Sequence, residues 1–286
     1  MAAYGTLTIA YGPYYDAALL SVGDIPKFFI KPGAPDPDSG AISAEVATAV
    51  TLVTPADGTL MANNAAATQI ALTMFNGAHI VSLGPAYVGA FLRNPERQKA
   101  QIRAFASALG VKAEAEIIAD LVAGTPVETE TLPNGQMDFR CPAGTDAQVW
   151  LAKNALDKAI AAVEIQTQGK PRNIAIIAGK AAYGNLKSLR NFKMMANDFD
   201  RLGNQWLYDG YPILLTSVTT NFGGASAECA YVVHQDAEGL VWDEIDLPDG
   251  GFAHHGDGFQ KLIMQGYAWA GLLQSTHYAA VLSGTS

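Results

Sequence analysis

The residues whose types could do chemistry are few, and their spacing argues against most reactions. Gly179-Lys180 follows the apolar run Ile174 to Ala178, as in a phosphate-binding loop. Such a loop needs an upstream glycine for its backbone cradle and a Ser or Thr after the Lys to hold magnesium. Here Ala181 follows and the upstream glycine is missing, so no nucleotide site is expected. His254, His255 and Asp257 have ligand-type side chains, but neighbours in extended chain point to opposite faces. With glycines close by, a surface turn is the expectation. Cys229 and His234 are five apart in a β-like stretch and also alternate faces, which argues against a thiol–imidazole pair. No G-x-S-x-G, H-E-x-x-H, C-x-x-C or G-x-G-x-x-G is present. The expectation is a chain that is not an enzyme, with no cofactor and no metal.

The charged residues suit subunit contacts better. Glu114, Glu116 and Asp120 fall on or near the polar face of a long helix, either solvated or facing a neighbour's Lys or Arg. Lys187, Arg190 and Lys193 make a small basic patch, and Asp36, Asp38, Glu45 and Asp57 make a Pro/Gly-rich stretch acidic. The candidate intersubunit contacts are Lys31, Asp36, Asp38, Asp57, Glu116, Asp120, Lys187 and Arg190. The net charge of -9 argues against a protein that grips nucleic acid, because neutralising phosphates takes clustered Lys and Arg. It leaves open one that merely surrounds nucleic acid. Cys141 and Cys229 are far apart in sequence and read as buried thiols in a reducing setting. No apolar run reaches the roughly 18 residues that span a bilayer, and the N-terminus lacks the basic and apolar regions of a signal peptide.

The elements that must position these residues are organised around Asn94 to Pro126. Asn94 suits a helix cap, Pro95 the first helical position, and Glu96 the positive first turn. Gly124 and Pro126 end the helix. Ile102, Phe105, Leu109, Ala113, Ile117 and Leu121 recur at spacings of three and four. Over this span a helix runs roughly 43 Å, with Gly110 a weak point and a possible bend. Such a helix is a spine on which other elements lie. Before it, residues 1 to about 27 read as a Gly- and Tyr-rich extended arm. Residues 28 to about 65 read as a projecting hairpin or functional loop with short β-type runs, Lys27 to Lys31 and Ala47 to Val53. Thr68 to Met74 and His79 to Leu83 flank Phe75-Asn76-Gly77-Ala78, which predicts a hairpin turn. Ala86 to Arg93 predicts a short helix. After the spine, Asp146 to Gln166 predicts a helix with Val149, Ala152, Leu156, Ile160 and Val163 inward. A buried strand, Ile174 to Ala178, follows, then a helix over Ala181 to Phe192. A strand over Trp206 to Val218 is broken at Gly210-Tyr211-Pro212. Short strands follow at Ala230 to His234 and Gly239 to Trp242, and the tail from Gln260 to Leu282 is β-rich.

Three stretches carry a family resemblance. Asp146 to Gln166 leads into NIAIIAGKAAYGNLKSL, Leu207 to Val218 reads LYDGYPILLTSV, and the chain closes on GFQKLIMQGYAWAGLLQSTHYAAVLSG. With the order of the parts, they resemble the major capsid protein of tailed double-stranded-DNA bacteriophages, the Hong Kong 97 phage fold. The resemblance implies an α+β chain with an N-terminal arm (1–27), an extended β-hairpin loop (28–75), a peripheral domain with the spine helix (76–127) and an axial α/β domain (128–234). Residues 235–286 would return to the peripheral domain as its long strands. It further implies hexamers and pentamers that close into an icosahedral shell around the phage genome. Partners would be a separate scaffolding protein and a portal, with DNA enclosed without sequence-specific binding and no membrane. The location would be the virion capsid, assembled in the host bacterial cytoplasm. Some members cross-link a loop lysine to an asparagine. Lys27 and Lys31 lie near the loop, but nothing identifies a partner asparagine, and that chemistry is not carried over. Two rivals remain: an encapsulin-like compartment on the same fold, and a small enzyme on the α/β core from Asp146 to Val218.

Overall fold

A computed structural model describes residues 23–29, 43–47, 67–84, 87, 90–91, 93–132, 146–167, 173–179, 182, 199–202, 205–216, 218, 229–242, 252–254 and 260–283. Its centre is the helix α2, Pro95–Ala123, with the predicted bounds. The Asn94 side chain accepts from the Arg97 amide at 3.2 Å, satisfying one of the free amides of the first turn. At the other end the Gly124 amide bonds the Asp120 carbonyl at 2.8 Å. The whole predicted stripe is buried, and Gln98, Ala106, Gly110, Glu114 and Ile118 are buried beside it. The helix is therefore covered over a broader arc than one stripe, and it continues through Gly110 without interruption. Buried Gln98 stays satisfied by donating to the Phe91 carbonyl at 3.1 Å.

One sheet lies along this spine. The strand β3 (Thr73–Leu83) pairs antiparallel with β12 (Gln260–Leu272) from Thr73 opposite Ala270 to Leu83 opposite Gln260. The strands β10 (Glu238–Trp242) and β11 (Phe252–His254) share the other edge of β12. The hairpin expected at Asn76-Gly77 does not form: the strand runs straight through, with Gly77 opposite Gly266. A turn there would forfeit the β12 ladder on both sides of it, and long-range pairing outweighs a local turn preference. The strands β1 (Ser43–Ala47) and β2 (Ala67–Ala71) form a separate antiparallel pair within the stretch read as a hairpin.

The β-type run at Lys27 is also corrected. Lys27, Phe28 and Phe29 end a short helix, α1 (Asp24–Phe29), which buries Ile25 and Phe29 four residues apart and leaves Lys27 exposed. That i, i+4 pair makes one apolar face on a helix, and α1 sets both residues in the spine's core cluster. Of the short helix expected over 86–93, residues 87, 90 and 91 are helical. The helix expected over 181–192 lies outside the described residues apart from residue 182.

A second sheet has seven strands in the order β4-β13-β9-β5-β8-β7-β6. Its strands are β4 (Thr129–Leu132), β5 (Ile174–Ala178), β6 (Phe199–Leu202), β7 (Gln205–Tyr208), β8 (Tyr211–Leu215), β9 (Cys229–His234) and β13 (Tyr278–Ser283). Every residue of β5 is buried, which explains its continuous apolar run. Alternation assigns its side chains to two cores. Ile174, Ile176 and Ala178 pack with Leu156, Ile160 and Val163 of the helix α3 (Asp146–Gln166). Ala175 and Ile177 join the spine's cluster with Ile117, Leu121 and Tyr231. The sheet is thus the wall between two apolar layers.

The predicted break at Gly210 is a two-residue hairpin turn. Asp209 and Gly210 have φ of 47° and 84°, the mirror-image turn that Asp-Gly favours. Tyr208 at its base donates to Asp157 of α3 at 2.7 Å, and Tyr211 donates to Glu164 of the same helix. The tail departs from the expected boundary. β12 joins the spine's sheet, but β13 crosses back and lies between β4 and β9 of the seven-stranded sheet. The apolar alternation of β13 fits that place, with Ala279 and Val281 toward α3 and Tyr278 and Ala280 toward the spine.

Candidate functional site

Of the sites that sequence chemistry pointed to, only part lies within the described residues. Cys229 and His234 are the two ends of β9, five residues apart. His234 is buried, stacks edge-on against His277 at 5.5 Å, and accepts from the Asp236 amide at 3.1 Å. Gly179 follows β5, and Lys180 lies outside the described residues, as do His255 and Asp257. Among the described residues no three His, Cys, Asp or Glu group to hold a metal, and no helix is long and apolar enough to cross a membrane. One open depression of about 200 Å³ sits at the end of the spine, lined by Leu121, Val122, Pro126, Tyr231, Leu282 and Thr129 among others. It offers no converging polar groups of the kind a reaction site needs.

Of the expected contact residues, Lys31, Asp36, Asp38, Asp57, Lys187 and Arg190 lie outside the described residues. Glu116 and Asp120 are both half-buried on the spine. Asp120 is not a freely solvated carboxylate: burial, with Glu116 beside it, raises its pKa. Glu114 departs furthest from a solvated face. It is buried, and Thr216 at the end of β8 donates to it at 2.6 Å, tying the spine to the seven-stranded sheet. Elsewhere on the spine Lys99 pairs with Glu96 at 2.8 Å, and Lys112 lies 5.9 Å over the Phe75 ring of β3.

The concentration of ionisable groups is a junction that sequence reasoning missed. Three passages of chain between the two sheets meet there: Gly124 to Glu128 after the spine, Gln235 to Ala237 between β9 and β10, and Leu273 to His277 between β12 and β13. Backbone bonds lace them together. The Leu273 and Gln274 amides donate to the Ala237 carbonyl at 2.8 and 3.1 Å, and the Val127 amide donates to the Tyr278 carbonyl at 2.9 Å. The spine's end is packed so closely on Tyr278 that a Cβ on Gly124 would collide with its hydroxyl and lie 2.7 Å from Leu272 Cδ2. The backbone of Gly124 is extended there, so closeness and not φ demands glycine.

Inside the junction Glu238 is 0 % exposed. Neither carboxyl oxygen, nor the buried Tyr278 hydroxyl, has a hydrogen-bond partner. Burial, reinforced by the charge of Asp120, pushes the Glu238 pKa up to about 9. The amides of Gly239 and Gly271 lie beside the carboxyl and oppose the rise, but neither closes a hydrogen bond of ordinary geometry. Tyr278 is pushed up to about 12 by burial and by Glu238. His277 is lowered by burial, against the pull of Asp236. The available signal was a lone acid within the apolar run Ala237 to Trp242.

No family model matches the sequence, and no curated protein is similar to it. Solved structures do match. A chain from Gordonia phage Cozz is 13% identical with a TM-score of 0.57, covering 92% of this chain and 86% of its own. The mature capsid of bacteriophage PhiM1 is 12% identical at 0.55, covering 91% and 87%. The SrpI encapsulin of Synechococcus elongatus is 12% identical at 0.55, covering 96% and 88%. At these identities the likeness establishes the fold: mixed α/β, that of phage capsid and encapsulin shell chains.

Proposed function

We propose that this chain is a major capsid protein whose copies self-assemble, as hexamers and pentamers, into an icosahedral shell enclosing phage double-stranded DNA. The observation that carries the reading is fold likeness over almost the whole chain to phage capsids. In this reading residues 1–27 are the arm and 28–75 the loop that lies on a neighbour. The spine and its sheet form the peripheral domain, and the seven-stranded sheet with α3 forms the axial domain. Lys31, Asp36, Asp38, Asp57, Glu116, Asp120, Lys187 and Arg190 are the proposed contacts between copies, with a scaffolding protein and a portal as partners. The location is the virion capsid, assembled in the bacterial cytoplasm. A shell subunit works through lateral contacts, so it needs no cofactor, and an acidic protein, at net charge -9, does not hold packaged DNA tightly.

The encapsulin likeness favours a second reading, a compartment that encloses a cargo protein. Light scattering and negative-stain imaging of the chain expressed with its scaffold test both. Closed particles containing DNA support the phage head, and closed particles containing one defined protein support the compartment. A persistent 30.1 kDa monomer under those conditions would overturn both.

A further inference from the structure

We propose that Glu238 is a proton-dependent latch on the junction between the two sheets: protonated, it lets the passages close on one another, and ionised, it drives them apart. Three features converge on this residue. Its carboxyl is fully enclosed and has no hydrogen-bond partner. It sits beside the three chain passages that join the sheets. Of the groups facing it, Asp120 from the spine repels a second negative charge, the Tyr278 hydroxyl from β13 is neutral below about 12, and the amides of Gly239 and Gly271 offset the rise only in part. The remaining helix on β10 is α1, whose charged groups, Asp24 and Lys27, are exposed and paired with each other at 3.7 Å. Asp236 acts instead on His277. An apolar side chain of similar volume in such a place is often as stable as an ionisable one or more so, so packing alone gives Glu238 no role.

The sign follows from the two protonation states. In the unfolded or locally opened chain the carboxyl titrates near its ordinary value of 4.5, and closed it holds its proton to about 9. The latch is fully closed below pH 4.5 and loosens as pH rises through 9. Between those limits each pH unit favours the open form about tenfold. The device belongs to the single subunit, so it is measured on unassembled chain, and the outcome does not depend on whether copies form a shell.

The experiment is amide hydrogen exchange from pH 6 to 9.5, corrected for intrinsic rates, on the wild type and Glu238→Gln. At Leu273 and Gln274, whose amides lace the junction, protection should be lower than at Ile176 in the sheet centre. It should fall about tenfold per pH unit in the wild type and stay flat in Glu238→Gln. If that variant does not fold, Asp120→Asn serves in its place, and its protection should level off at a lower pH than in the wild type. Flat protection in the wild type would overturn the latch. So would an unchanged slope in Glu238→Gln, an unmoved plateau in Asp120→Asn, or junction amides protected as strongly as Ile176.

Discussion

Gly124→Ala should destabilise the protein even though the extended backbone at this position is one that alanine adopts freely. The new methyl would strike the Tyr278 hydroxyl and lie 2.7 Å from Leu272 Cδ2. Overpacking of this kind costs about 1–3 kcal/mol. Reduced freedom of the unfolded chain returns about 0.4–1 kcal/mol, so a net loss of about 1–2 kcal/mol is expected. The partner change is Tyr278→Phe. It removes a buried hydroxyl that has no hydrogen-bond partner, so alone it should be neutral or stabilising by up to about 1 kcal/mol. In the double variant the methyl occupies the space the hydroxyl leaves, the flexible Leu272 terminus moves aside, and the Asp120 carbonyl 3.1 Å away must yield only slightly. The coupling between the two changes should be at least about 1 kcal/mol in favour of the pair. Denaturant unfolding of all four proteins gives the cycle, with unchanged slopes confirming that one transition is being compared. Equal stability of Gly124→Ala and wild type, or additive single effects, would refute the packing of the spine's end against β13.

Other substitutions probe separate links. Thr216→Val leaves the Glu114 carboxylate and the Val218 amide without that hydroxyl, and thermal unfolding should show a loss of about 2 kcal/mol. Gly210→Ala meets no atom within 4 Å but keeps φ at +84°, so strain alone should cost about 1 kcal/mol in the same assay. Deleting the loop tip, Pro35 to Ser39, should abolish or weaken particle formation in sedimentation while circular dichroism stays unchanged.

The long helices were legible because their periodic apolar residues and end signals agree with what surrounds them. Asn94, Pro95 and Gly124 mark α2 locally, and its stripe faces a core that wants it. β5 was legible as five apolar residues, although only the sheet order shows that alternate side chains serve different cores. Asn76-Gly77 misled because its turn preference is local, whereas its partner strand lies far along the sequence. α1 was hidden because six residues carry too little periodicity to separate helix from strand. Glu114 and Asp120 read as surface charges because a helical projection does not show which arc a second layer covers. Glu238 is the clearest omission. Its meaning depends on Asp120 and Tyr278, which only the fold brings near.

The β3–β12 ladder also sets a schedule for folding. Thr73 finds Ala270 and Leu83 finds Gln260, so pairing closes a loop of nearly two hundred residues. Loop entropy for such a length is on the order of 4–5 kcal/mol, spent before any ladder bond repays it. On a ribosome adding about 5–20 residues per second, β3 emerges well before its partner exists. The spine meanwhile has no completed sheet to cover its apolar side. β13, which closes the other sheet between β4 and β9, emerges still later. Neither layer can therefore be finished until β12 and β13 have been made. A chain stopped before β12 would lack a strand from each sheet and leave both apolar layers uncovered.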